Sequence, residues 1–149
     1  MKDTPRTIAR VRLRQVRDGR VRFVVDRVTR PAEVFEAVRP YYKGADREIL
    51  SVICLDTQNQ PTCFHICSIG SLNTTRTHPG DILKPALISN SLGIVLVHNH
   101  PSGCLEPSEE DVEFTRSVRR ACETLGIDLF DHLILSDDGF TSFRERGLL

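Results

Sequence analysis

GIVLVHNHPSGCLEPSEED, residues 93 to 111, is the stretch on which the fold turns. Gly93 to Val97 is an unbroken apolar run, the pattern of a strand covered on both faces. From Ser108 a long helix is predicted to Leu125. Val112, Thr115, Val118, Cys122 and Leu125 are spaced three and four apart, and Gly126 supplies the stop. Between the two lies HNHPSGCLEPSEED, residues 98 to 111. The end of a buried strand that leads into a helix is where α/β folds bind ligands.

His98 and His100 are two apart, so in extended backbone their rings leave one face and can meet a single ion. Pro101 and Gly103 then turn the chain, and Asp111 can bring a carboxylate oxygen to the same ion. Two imidazoles and one carboxylate leave a fourth tetrahedral position open to water, the donor set of a catalytic zinc rather than a closed structural one. Such chemistry needs a base outside the ligand set. Glu48, at the start of the strand REILSVICLD, can point at the site from a neighbouring strand.

Working outward, residues 7 to 16 alternate Ala9, Val11 and Leu13 with Arg10, Arg12 and Arg14. Val21, Phe23 and Val25 resume the alternation after Asp18-Gly19, which predicts an N-terminal β-hairpin. Thr29 and Pro31 open a helix that ends near Pro40. Strands are predicted over 47 to 56 and 62 to 69, and a short helix over 79 to 89. A final hairpin is predicted from 129 to 135 and 140 to 143. The reading is one α/β domain over residues 1 to 149 with a mixed sheet, in which 1 to 30 form a basic hairpin extension and 31 to 149 the core.

At 149 residues the chain is large enough to bury a core without a stapling metal or disulfides. Its 40% hydrophobic and 27% charged residues are the balance of a soluble globular domain, and no apolar run approaches the roughly 20 residues of a membrane span. Arginines interrupt the N-terminus where a signal peptide needs an apolar stretch, so a cytoplasmic location is expected. The five cysteines show no paired CxxC spacing and read as reduced thiols. Net charge is zero, but residues 1 to 30 carry ten Lys or Arg against three Asp or Glu, a net of +7, and the remainder carries −7. That polarity suits weak nucleic-acid contact through the arginine hairpin, an acidic partner, or docking of the arm on the acidic body. Oligomeric state is left open.

Each piece also has a plainer reading. Ser108-x-x-Asp111 is a capping-box variant, His98 and His100 can be strand-end histidines bonded to backbone, and Glu48 can be a solvated strand-edge charge. Their combination in one order favours the metal site. A serine hydrolase built on Ser102 or Ser108 lacks a GxSxG elbow. Cys63 and Cys67 read as core packing, and His78 and His132 as structural residues that can still help to shape the groove.

The string from His98 to Asp111 resembles the JAMM motif of MPN (JAB) metalloproteases, with His98, His100, Pro101, Ser108 and Asp111 matching and Glu48 upstream. HPGDILKPAL from residue 78 and LGIDLFDHLIL from residue 125 resemble the bacterial RadC-type JAB branch, a likeness that covers roughly residues 34 to 149. The resemblance implies a cytidine deaminase-like α/β/α fold and zinc held by His98, His100 and Asp111. It also implies Ser108 as a hydrogen-bond donor to an oxyanion and cleavage of a peptide or isopeptide bond in a protein substrate. The branch also carries an association with DNA repair, which makes a DNA-associated accessory module the alternative. Two departures are visible. A basic hairpin stands where full-length members have a helix-hairpin-helix segment, and Cys104 stands where the branch commonly has an acidic residue. That thiol is near enough in sequence to add a metal ligand, although a plain loop cysteine is the simpler reading.

Overall fold

A computed structural model describes residues 6–70 and 77–149. Helix α1 (Pro31–Val38) and a short 3-10 turn (Arg39–Tyr41) precede strands β1 (Ile49–Leu55) and β2 (Pro61–Ile69). Helix α2 (Pro79–Ile88), strand β3 (Gly93–Asn99), helix α3 (Glu109–Leu125) and strands β4 (Asp128–Leu135) and β5 (Phe140–Ser142) follow. The strands form one mixed sheet in the order β2-β1-β3-β4-β5. β3 and β4 run parallel across α3, and the other neighbours are antiparallel.

Strand alternation divides the apolar residues between two cores. Leu50, Val52, Cys54, Ile94 and Leu96 face α2 and α3, where they pack on Ile82, Leu83, Phe114 and Val118. Ile53, Leu55, Val95, Val97, Leu133 and Leu135 face α1 and pack on Val34, Phe35 and Val38. The result is three layers, α/β/α, with β1 and β3 buried along almost their whole length. That is why GIVLV reads as continuous rather than alternating. His98 continues the even-numbered face, so its ring points toward α3.

Each predicted element from residue 31 onward is present, with ends that move by one or two residues. The N-terminal β-hairpin is not. Residues 6–30 contain no strand, and Ile8, Val11, Leu13 and Val16 are 95, 73, 80 and 77% exposed. An isolated two-stranded ribbon is marginal in water, and pairing two strands this rich in arginine would set like charges opposite one another. The segment instead lies on the body through single contacts: Val28 N–H to the Asn59 carbonyl at 2.9 Å, the Tyr41 hydroxyl to the Arg20 carbonyl at 3.0 Å, and Val21, Phe23 and Val28 against the α1-side core. No helix among the described residues is long and apolar enough to cross a membrane.

Candidate metal centre

The site forms where three elements end together. His98 is the penultimate residue of β3 and fully buried, and His100 follows the strand, its backbone N–H still pairing with the Leu135 carbonyl of β4 at 3.0 Å. Pro101 and Gly103 then reverse the chain. Gly103 adopts φ +80°, a left-handed conformation that favours glycine, and its N–H closes the turn on the His100 carbonyl at 2.9 Å. The return brings Ser108 to the N-cap of α3. Its hydroxyl accepts the Asp111 N–H at 3.1 Å while the Asp111 carboxylate accepts the Ser108 N–H at 2.8 Å. The capping box and the metal-ligand geometry therefore coexist: the cap fixes the carboxylate that faces the histidines.

The candidate donors of His98, His100 and Asp111 all lie within 4.8 Å of one another. The two Nε2 atoms are 3.0 Å apart, and each is 3.2 Å from an Asp111 oxygen. Two ligands at about 2.0 to 2.1 Å from one tetrahedral ion stand about 3.3 Å apart, so the spacing suits zinc. Access is from the His100 side, whose side chain is 13% exposed against 0% for His98 and 6% for Asp111.

Proton bookkeeping supports the same fit. His100 Nδ1 lies 2.7 Å from the Cys104 carbonyl, which can only accept, so Nδ1 carries the proton and a neutral His100 offers a bare Nε2 to the centre. Nearby charge acts in the same direction. Burial pushes the Asp111 carboxyl up, but the His100 and His98 rings, which hydrogen-bond it when protonated, outweigh that effect and hold the group ionised far below the usual carboxylate range. The hydrogen bond that a protonated His100 makes to Asp111 raises its basicity against the opposing effect of burial, and the charge of Glu48 adds to it. A carboxylate and imidazole lone pairs facing one point in a nearly closed site is an arrangement that only a cation or protons can satisfy.

Glu48 sits just before β1 rather than on it, half-buried. The antiparallel β1/β3 register ends with Leu50 opposite His98; carried two residues further along both chains it leads Glu48 toward His100, whose basicity the Glu48 charge raises. The predicted base is therefore at the mouth of the site. Cys104 contributes its carbonyl to His100; its thiol is not part of the donor group, so the extra-ligand reading is dropped in favour of a loop cysteine.

Two second-layer residues escaped the sequence reading. Asn99 lies between the histidines and is buried. It accepts the Ile49 N–H at 2.7 Å and donates to the Arg47 carbonyl at 3.0 Å. His132, read as structural, is fully buried with Nε2 at 2.7 Å from Nδ1 of His98, and Phe143 stacks on its ring. Its signal was a histidine that opens the apolar run HLIL on β4, the parallel partner of β3.

A family model of the RadC-like JAB domain matches residues 28–148. A UPF0758 protein of Aquifex aeolicus is 41% identical over 122 residues, 82% of this chain and 52% of the relative. One of Methanosarcina barkeri is 35% identical over 123 residues, 83% of this chain and 54% of the relative, and one of Symbiobacterium thermophilum is 40% identical over 119 residues, 80% and 51%. The chain spans about half the length of the curated relatives it matches.

Proposed function

The chain belongs to the RadC-like JAB domain family, and from that premise we propose that it is a zinc-dependent hydrolase of the JAMM type, acting on a peptide or isopeptide bond in a protein substrate. The observation that carries the reading is the convergence of the His98 and His100 Nε2 atoms on the Asp111 carboxylate, with Glu48 at the mouth and outside the donor set.

In this reading His98, His100 and Asp111 hold the ion. Zinc, when bound, supplies Lewis-acid activation of water and of a substrate carbonyl. Glu48 takes the proton of the attacking water and returns it to the leaving nitrogen. Ser108 accepts the Asp111 N–H and keeps its own hydroxyl proton, which it donates to the carbonyl oxygen as negative charge develops there. The buried walls under His98 keep bulk water from the ligand side.

The test is the zinc content of purified protein together with cleavage of a panel of peptide and isopeptide substrates, with and without a chelator. About one zinc per chain is expected. Turnover should be lost on chelation and lost about 10²- to 10⁴-fold in Glu48→Gln at unchanged zinc content. Protein that neither takes up zinc nor cleaves any of the panel would sink the proposal. A second reading, a DNA-associated accessory module, is favoured by a different feature, the exposed arginines of residues 6–30. Salt-sensitive DNA binding without turnover would support it.

A further inference from the structure

We infer that the buried pair His132 and Thr115 fixes the tautomer of His98, so that a neutral His98 ring always turns a bare Nε2 toward the metal position. His132 is thus a positioning residue that acts through His98. The inference rests on the zinc reading above for its purpose, but the hydrogen-bond chain that carries it involves no ion.

The chain is read from the one atom whose role is fixed. The Thr115 hydroxyl lies 2.6 Å from the backbone carbonyl of Asp111 and 2.6 Å from Nδ1 of His132. A carbonyl cannot donate, so the single hydroxyl proton of Thr115 goes to Asp111. Thr115 Oγ1 must then accept from His132, which places the His132 proton on Nδ1. The Nε2 of a neutral His132 is left as an acceptor, and it faces Nδ1 of His98 at 2.7 Å. His98 must donate there, so its Nδ1 carries the proton and its Nε2, 3.2 Å from Asp111 Oδ1 and 3.0 Å from His100 Nε2, does not.

The path runs from the Asp111 backbone through three hydrogen bonds to His98, whose bare Nε2 faces the Asp111 carboxylate, so it joins α3, β4 and β3. Nothing in it can rotate freely. His132 is held between Phe143, stacked at 4.7 Å, and Phe114, edge-on at 6.3 Å, and both His132 and Thr115 are buried. The Cys104 carbonyl does the same for His100 from outside. Two histidines are thus set in one tautomer by two unlike devices, one a backbone acceptor in a loop and the other a buried side-chain relay. Hydrogen bonding to the distal ring nitrogen orients a ligand and raises its basicity, and loss of such a partner typically costs 10- to 100-fold in metal affinity.

The experiment has two arms. In metal-free wild-type protein with 15N-labelled histidine, at a pH where the rings are neutral, the 15N shifts should show His98 and His132 both with Nδ1 protonated and Nε2 bare. A wild-type His98 protonated on Nε2 would overturn the inference whether or not zinc binds. In the second arm, zinc alone is titrated against wild type, Thr115→Val and Thr115→Ser. The valine removes the acceptor for His132 at nearly constant volume and should raise the zinc Kd about 10- to 100-fold, and the serine should restore it. Wild-type affinity in a folded Thr115→Val protein that also keeps the His98 tautomer would overturn the inference. Should Thr115→Val not fold, the 15N shifts of wild type still decide. A wild type that binds no zinc contradicts the proposed function, while the tautomer is read independently.

Discussion

Asn99 holds the backbone on both sides of Glu48: its carbonyl oxygen accepts the Ile49 N–H at 2.7 Å and its amide donates to the Arg47 carbonyl at 3.0 Å. The residue between the two candidate histidine ligands thereby sets the position of the candidate base. Strand alternation makes this possible. His98 and His100 face α3, and Asn99, on the opposite side of the same backbone, reaches the end of β1.

Asn99→Ala should therefore separate base placement from metal binding. Zinc content is expected to stay near wild type, while kcat falls about 10²-fold, the scale of an ångström of misplacement at a reacting group. Stability should fall by about 1 to 3 kcal/mol, because the Ile49 N–H loses its partner in a part-buried place. Metal analysis, steady-state kinetics and urea unfolding on one preparation check all three. An Asn99→Ala protein with full kcat would mean that Glu48 is held by other contacts.

Zinc should stabilise the domain without being needed to fold it. Both apolar cores are complete without the ligand residues, and the chain is long enough to support them. At free zinc 100-fold above Kd the gain is about 2.7 kcal/mol, or roughly 5 to 10 °C in Tm for a domain of this size. Chelator should remove that increment and leave a cooperative transition, and His98→Ala should show no increment. Calorimetry with and without zinc checks this; loss of all cooperative unfolding on chelation would make the site a structural one.

The sheet, the helices and the candidate donor group were legible from residues 31 to 149 because each is written locally: GIVLV by its apolar continuity, α3 by its 3.6 period between Ser108 and Gly126, the two histidines by their two-residue spacing and Asp111 by its place in the first turn of α3. The N-terminal hairpin was misread because alternation specifies a face only when something covers that face, and Val11 and Leu13 meet solvent. His132 and Asn99 were missed for another reason. Their partners, His98 for one and the backbone of residues 47 and 49 for the other, are brought near by strand register, which no spacing in the chain encodes.

The same register gives a thiol an unusual setting. Cys54 and Cys63 stand directly opposite on β1 and β2, and the hydrogen bond from Cys54 pulls the Cys63 thiol below its ordinary pKa, against the opposing effect of burial. Burial instead pushes Cys67 up to about 12. Because the thiolate is the reactive form, Cys63 should be alkylated by iodoacetamide at lower pH than Cys67. Cys54→Ala, which removes the donor, should shift the Cys63 profile to higher pH. Peptide mapping after timed alkylation from pH 6 to 9 checks this; an unmoved profile would mean that Cys54 does not donate.

Arg10, Arg12, Arg14 and Arg22 are exposed on the N-terminal segment. If all four meet phosphates, affinity for duplex DNA should be sequence-independent and fall about 10²-fold between 50 and 200 mM salt, and replacing all four with alanine should flatten the salt slope. Fluorescence anisotropy with two unrelated duplexes tests it. No binding at about 50 mM salt would assign the charge to the acidic body or to a protein partner.

Ser108 holds two roles that can be pulled apart by choice of substitution. As N-cap, its oxygen accepts the Asp111 N–H at 3.1 Å; as proposed donor, its proton goes to the developing oxyanion. Alanine removes both and should cost about 1 kcal/mol of stability, whereas glycine, a tolerable N-cap, should cost only a few tenths. Neither has a hydroxyl, so both should lower kcat by the same roughly 10²- to 10³-fold expected for one missing oxyanion donor. Zinc content should hold in the glycine variant, since the Ser108 backbone N–H that steadies the Asp111 carboxylate at 2.8 Å remains. The comparison rests on unfolding midpoints set beside kcat for the two variants on a cleaved substrate. If kcat follows stability, falling in Ser108→Ala but not in Ser108→Gly, the hydroxyl serves the helix start alone and the oxyanion role must pass to another group.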